Sequence, residues 1–256
     1  MSHPLPLTGE RTLPGVAGEE YWFARHDAAY RWVAETYADR VHDAVVVEAG
    51  SGEGYGADLL RAAGARIVVA LEYDPGAVAH AGSAYAEVAT TRANLAALPV
   101  AAASVDVLVS LQVVEHLWDL PAFLRDCATV LRPGGLLVVS TPNRPVFSPG
   151  LARGEKPTNP FHVEELDAEQ LHDHLVAAGL GGVAVHGLLH GARIEDWERT
   201  HQTGLVAAQI AVVTGVRPDD TGDAEVAEFV ATVTHADFRV GDADDAQDLV
   251  AVAVRP

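Results

Sequence analysis

Four glycines at every second position, Gly50, Gly52, Gly54 and Gly56, follow directly on the apolar run Val45-Val-Val and the acid Glu48. An apolar run that ends in an acid and opens into glycines is a strand feeding a tight turn, where backbone approaches a bound group closely. Gly50, Ser51 and Gly52 form that turn, and the helix expected from near Tyr55 points its first amides at the ligand. The spacing is Glu-x-Gly-x-Gly-x-Gly and not Gly-x-Gly-x-x-Gly. Tyr55 occupies the place where a dinucleotide fingerprint needs its third glycine, so a ligand with one carboxylate and one nucleoside suits the turn better than a pyrophosphate.

Further segments stand in a fixed order behind this turn: Val68-Val-Ala-Leu-Glu72-Tyr73-Asp74-Pro75, Ala93-Asn94-Leu95 with Leu98-Pro99, Ser104-Val-Asp-Val-Leu-Val-Ser110-Leu-Gln112, and Val130-Leu-Arg-Pro-Gly-Gly through Asn143. Together they resemble the motifs of class I S-adenosylmethionine-dependent methyltransferases. The resemblance implies that Glu48, Gly50, Ser51, Gly52, Tyr55 and Gln112 surround S-adenosyl-L-methionine. It gives Glu72 the two ribose hydroxyls, which a carboxylate can accept together, and sets Tyr73, Asn94 and Leu95 around the nucleoside. It also implies a doubly wound, seven-stranded sheet, mostly parallel with its last strand antiparallel.

The acceptor side is read from three segments, residues 8–32, residues 143–162 and the helical insertion with Trp197, His201 and Gln202, the last read most simply as a cap or an oligomer contact. In Glu20-Tyr-Trp-Phe-Ala-Arg-His26, Arg25 or His26 is expected to neutralise the methionine carboxylate while Tyr21 and Trp22 shape the mouth; the competing expectation is a helix packing its aromatics on the sheet. The Pro- and Gly-rich stretch from Asn143 to His162 follows the fifth strand and overhangs the site, which makes Asn143 and His162 candidate acceptor contacts. His116, in Gln112-Val-Val-Glu-His-Leu-Trp118-Asp119, stands at a position that resembles that of the histidine base of natural-product sugar O-methyltransferases, with Trp118 beside it. An imidazole with a pKa near ~6.5 can take the proton of an alcohol as the methyl arrives, although Glu-His here also fits a cap or pocket wall. Across nearly the whole chain the sequence further resembles actinobacterial methyltransferases of the mycofactocin oligosaccharide. That likeness implies a glucose hydroxyl as acceptor and an O-methyl ether as product. The alternatives are a C- or N-methyltransferase of a small metabolite and a non-catalytic S-adenosylmethionine-binding protein.

Positioning these residues requires alternating strands and helices. Strands are expected near 43–49, 66–72, 88–92, 105–111 and 135–141, and helices near 55–64, 75–86, 120–132 and 167–178. Residues 183–186 and 249–254 read as the last two strands, with helical sequence at 194–233 between them. The 256 residues suit one domain: an N-terminal lid and helix at 1–40, a cofactor core at 41–143, and acceptor-side insertions at 144–165 and 194–233. A net charge of −19 repels nucleic acid and anionic lipid and favours a small or neutral acceptor. Cys127 is the only cysteine, which removes internal disulfides and cysteine metal sites. The Asp and His residues show no spacing that singles out a ligand set, so no metal is expected. No stretch approaches the roughly 18 apolar residues of a membrane span, and the first residues lack a secretion pattern, so a cytoplasmic protein is expected.

Overall fold

The computed structural model describes residue 5, residues 11–214 and residues 222–256. Residues 1–4 and 6–10 of the expected lid and residues 215–221 of the expected insertion lie outside the described residues. Helix α1 (Glu20–Thr36) and the short α2 (Ala38–Val41) precede the sheet. One half of the sheet follows as β1 (Val45–Ala49), α3 (Tyr55–Ala62), β2 (Ile67–Glu72), α4 (Pro75–Ala84) and β3 (Ala89–Arg92). The chain then returns to the other side of β1 through β4 (Val105–Leu111), α5 (Leu120–Val130) and β5 (Leu131–Pro142). Helices α6 (Arg144–Phe147) and α7 (Ala168–Ala177) lead to β6 (Gly181–His190). After α8 (Ala192–His201), α9 (Leu205–Thr214) and α10 (Asp223–Val230), the chain ends in β7 (Phe238–Gly241) and β8 (Asp248–Val254).

The strand order is β3-β2-β1-β4-β5-β8-β6-β7. β1 to β5 run parallel, β8 inserts antiparallel between β5 and β6, and β7 adds antiparallel to β6. The described residues thus form eight strands where seven are expected from the sequence. The extra one is a four-residue edge strand in which only Phe238 is buried, too short to carry a period-two pattern.

Every residue of β4 is buried, because helices cover both faces of the parallel half, and the strand therefore reads as a largely apolar run in which only Asp106 and Ser110 are polar. Alternation divides the core in two. Val46, Val107, Val138 and Val252 pack towards α1 and α3, and Val47, Leu108, Leu137 and Ala251 towards α5 and α7. Leu60 of α3 and Leu124 of α5, both fully buried, each contribute about 1.5–3 kcal/mol through removal of apolar area from water. Cys127 is another buried member of the second cluster.

Local chemistry sets the helix starts. Asp74 accepts from Gly76 N–H at 2.6 Å ahead of Pro75, Asp119 accepts from Ala122 N–H at 2.9 Å, and Asp167 with Gln170 forms a capping box. The chain leaves β1 towards β2 on one side, while β4 lies on the other. The crevice beyond the carboxyl ends of β1 and β4 is the switch point where doubly wound sheets bind ligands. Among the described residues, no helix is long and apolar enough to cross a membrane.

Candidate active site

A cavity of about 440 Å³ opens at this switch point. Its floor is the turn Gly50, Ser51 and Gly52 after β1; Glu72 and Tyr73 close one side and Leu95 lies beyond them. Gln112 and His116, past the end of β4, form the opposite wall, with Tyr55 of α3 and His26 of α1 above. Gly50 and Gly52 both have positive φ, +85° and +53°, which the tight turn requires. A Cβ at Gly50 would meet Val113 Cγ2 at 2.5 Å, whereas at Gly52 it would meet nothing within 4 Å. The side chain of Ser51 is buried with its hydroxyl unpartnered.

The turn amides do not point at a ligand as the sequence implies. Gly50 and Ser51 N–H both donate to Leu71 O, Gly52 N–H donates to Glu72 Oε2 at 2.9 Å, and Gly54 N–H donates to Ser51 O. Tyr55 N–H goes to Glu53 Oε2. The turn is held by its own hydrogen bonds. Glu72 also accepts from Asp74 N–H at 2.8 Å, which fixes its carboxylate while each oxygen keeps a second lone pair.

Glu48 is a second correction. It lies fully buried beneath the cavity, where Tyr30 donates to Oε1, and it does not line the cavity wall. Burial pushes its pKa up to about 8, outweighing the hydrogen bonds from Tyr30 and the Ala57 amide, so the side chain is mostly neutral at pH ~7. Asn94 is a third. Its Oδ1 accepts from Ala96 N–H in a local turn, and the residue is not part of the cavity wall.

A second cavity, of about 330 Å³, adjoins the first and shares Gln112, His116, His26, Thr12 and Arg11 with it. Trp22, Phe147, Asn159 and His162 complete much of its lining, together with Glu115 and Arg25. Gln112 adopts the left-handed conformation at φ +55°, which turns its side chain into the junction between the cavities. There Nε2 donates to Ser140 Oγ at 3.2 Å and Oε1 accepts from Arg25 at 3.2 Å.

Neither cation expected to meet a carboxylate is suited to it. Arg25 is buried against Asp248, with Nε 2.7 Å from Oδ2, so its charge is already matched within the fold. His26 is held neutral: burial, aided by Arg25, lowers its pKa to about 3, and Nδ1 lies 3.3 Å from Thr12 Oγ1. Arg11, which sequence reasoning did not single out, does line both cavities and pairs with Asp74 at 2.8 Å.

Three expected acceptor contacts lie elsewhere. Tyr21 does not reach the mouth; it is fully buried, its hydroxyl 2.7 Å from His190 Nε2 and its ring against Phe238. The packing alternative for this residue is the one the structure contains, while Trp22 next to it faces the second cavity. Asn143 is 2 % exposed and donates to Ala243 O and Ala246 O, which ties the end of β5 to the loop before β8. Trp118 is 91 % exposed and lines neither cavity, because Leu117 beside it takes the inward position. The described part of 194–233 also lines neither cavity; its apolar residues Ile194, Trp197 and Leu205 join the α1 cluster instead.

His116 and His162 come together, their ring centroids 5.1 Å apart. Nδ1 of His116 lies 3.0 Å from Phe161 O, and Nδ1 of His162 lies 2.7 Å from Glu165 Oε1. Glu115, His116 and His162 each offer a ligand atom within 4.8 Å of the others, a grouping that sequence spacing does not reveal because the loop after β5 brings His162 back over β4. Glu53 was also missed: it bridges to His80 at 2.7 Å and to Tyr85, anchoring the turn to α4, and its only sequence signal is an acid between two glycines.

Comparison with known proteins agrees with this geometry. Residues 47–139 match the family described as Methyltransferase domain. A probable S-adenosylmethionine-dependent methyltransferase of Mycobacterium tuberculosis is 49 % identical, over 98 % of this chain and 90 % of the relative. A probable S-adenosylmethionine-dependent methyltransferase of Mycolicibacterium smegmatis is 46 % identical, over 98 % and 96 %. Among solved structures, a SAM-dependent methyltransferase of Thermotoga maritima superposes with a TM-score of 0.60 at 16 % identity, over 93 % of this chain and 94 % of that one, a likeness of fold.

Proposed function

The chain belongs to the class I S-adenosylmethionine-dependent methyltransferases, and we propose that it methylates a sugar hydroxyl, with a glucose of the mycofactocin oligosaccharide or of a related glycan as acceptor. The observation that carries this reading is the second cavity, joined to the first at His116 and Gln112. Its mixed lining suits a sugar: Trp22 and Phe147 offer apolar faces, while Asn159, His162 and Glu115 offer polar edges.

The first cavity fits the family's cofactor. The unpartnered Ser51 hydroxyl and the open space over Gly52 accommodate a polar tail, and Glu72 has lone pairs left for a ribose diol. Tyr73 and Leu95 are assigned to the nucleoside end, Tyr55 and Gln112 to the reacting end. Bound there, S-adenosyl-L-methionine supplies an electrophilic methyl group on its sulfonium. Gln112 and His116 stand between the two ligands and set their relative position, and orientation alone can lower such a barrier by roughly 7–11 kcal/mol. The acceptor hydroxyl is activated at His116, whose Nδ1 side is held by Phe161 O so that Nε2 serves the acceptor. This reading takes residues 1–256 as one domain working in the cytoplasm on a small or oligosaccharide acceptor and not on nucleic acid.

The test is a mass-spectrometric screen of purified protein with isotope-labelled cofactor and short β-glucosides. A gain of one methylene unit on oxygen is expected; methyl on carbon or nitrogen overturns the acceptor. His116→Ala is expected to cut product formation by about 10²- to 10⁴-fold while cofactor affinity stays unchanged. Equal turnover by the variant removes His116 from the chemistry.

A further inference from the structure

Two imidazoles and a carboxylate converge on the acceptor cavity, and their surroundings resemble a prepared ligand set. Glu115 is 2 % exposed and its Oε2 is buried without a hydrogen-bond partner. His162, 4 % exposed, has Nδ1 2.7 Å from Oε1 of the buried Glu165. His116 has Nδ1 against Phe161 O. Each ring therefore has an oxygen acceptor on Nδ1, the arrangement that fixes a metal-binding histidine with its Nε2 lone pair turned to the ion. Nε2 of His116 lies 3.8 Å from Glu115 Oε1, room for an ion to draw both inward.

We infer that Glu115, His116 and His162 form a binding site for a divalent cation of borderline softness, such as Zn²⁺ or Co²⁺, with its open coordination positions facing the acceptor cavity. Two neutral imidazoles and one carboxylate favour such an ion over Ca²⁺ or Mg²⁺, which prefer all-oxygen shells. Asn159 Nδ2 lies 3.1 Å from His162 Nε2, one contact that a cation would replace. Arg11 and Arg25 line the same cavity, but Asp74 and Asp248 match their charges, so they oppose a cation only weakly. A hydroxyl or vicinal diol of the acceptor is the natural occupant of the open positions. This last point rests on the sugar reading and changes it in one respect: with the cation bound, Nε2 of His116 has no lone pair left for the acceptor's proton, and polarisation of the hydroxyl would fall to the cation; the cation site itself does not depend on it.

The test uses the full chain, stripped with a chelator and titrated with Co²⁺, Zn²⁺, Mn²⁺ and Mg²⁺ without acceptor. One equivalent of Zn²⁺ or Co²⁺ per chain is expected, with a visible Co²⁺ absorption band and much weaker Mn²⁺ and Mg²⁺ binding. His116→Ala and His162→Ala should abolish the band, and Glu165→Gln should weaken binding about 10- to 100-fold through loss of the outer contact. Circular dichroism and cofactor titration report whether each variant is folded, and the half-exposed His116 is the safer site if His162→Ala unfolds. Binding below stoichiometry, or affinity unchanged in the folded variants, overturns the site. Stoichiometric cation binding without sugar methylation would leave this inference standing and remove the acceptor reading; methylation unaffected by chelator, with no cation bound, would do the reverse.

Discussion

At the scale of single residues, the glycine turn divides its labour in a way that substitution can separate. Gly50 sits where a Cβ would press into Val113, and Gly52 where it would enter open cavity. Both pay the left-handed backbone cost of roughly 1–2 kcal/mol on becoming alanine. Gly50→Ala adds overpacking of about 1–3 kcal/mol and should show mainly as lost stability in denaturant melts. Gly52→Ala should stay closer to wild type in stability while cofactor affinity, measured by titration calorimetry, falls more; the opposite ranking would place the ligand elsewhere. Glu48 gives a pH signature. Its folded pKa, raised to about 8 by burial first of all, lies above its ordinary value of 4.5. The folded state thus holds the extra proton between these values, so the stability Glu48 contributes is complete below the lower one and is lost as pH rises through the upper one. Glu48→Gln should flatten the decline in melting temperature between pH ~5 and ~9, and a decline as steep as wild type would show that another group titrates.

At the scale of elements, α1 is held to the sheet by a buried ion pair rather than by apolar packing alone. Arg25 reaches across to Asp248 at the start of β8, both nearly inaccessible. Arg25→Ala should destabilise the protein by roughly 3–5 kcal/mol because Asp248 is left buried without its partner, whereas Arg25→Met with Asp248→Leu should recover most of that loss. A double-mutant cycle by urea unfolding checks this, and additive losses would mean that the two groups do not act as a pair. That pair also marks how far the sequence can be read. β1, β2, β4 and the turn after β1 are legible because their apolar runs and glycines are local signals, and helices α3, α4, α5 and α7 begin close to their expected places. Arg25 and Asp248 stand 223 positions apart, and nothing local announces their meeting. The same holds for His116 with His162, and for Tyr21, whose burial depends on β6 and β7 arriving beneath it. Glu48 is the instructive case: its motif is legible, but whether the acid touches a ligand or props the turn depends on Tyr30 closing over it from α1.

At the scale of the whole molecule, the net charge of −19 acts on every ligand that approaches. S-adenosyl-L-methionine carries a net positive charge through its sulfonium, and its product S-adenosyl-L-homocysteine carries none. The two differ little in shape, so their affinities report the field of the protein at the cavity. Glu53 and Glu72 stand in the wall, Asp74 is matched by Arg11, and the remaining acids act from further away. A unit charge about 10 Å distant is worth about 0.4 kcal/mol in water, so two unmatched acids at that range favour the cationic cofactor by roughly fourfold. Salt near 0.5 M, with a Debye length well under ~8 Å, should remove most of that advantage. Calorimetric titration of both compounds at low and high salt is therefore expected to show the affinity for S-adenosyl-L-methionine falling roughly fourfold more than that for S-adenosyl-L-homocysteine. Parallel losses would mean that the acidic surface is felt only by macromolecules at its exterior. A selective loss would mean that it also helps expel the product, since methyl transfer removes the charge that drew the cofactor in.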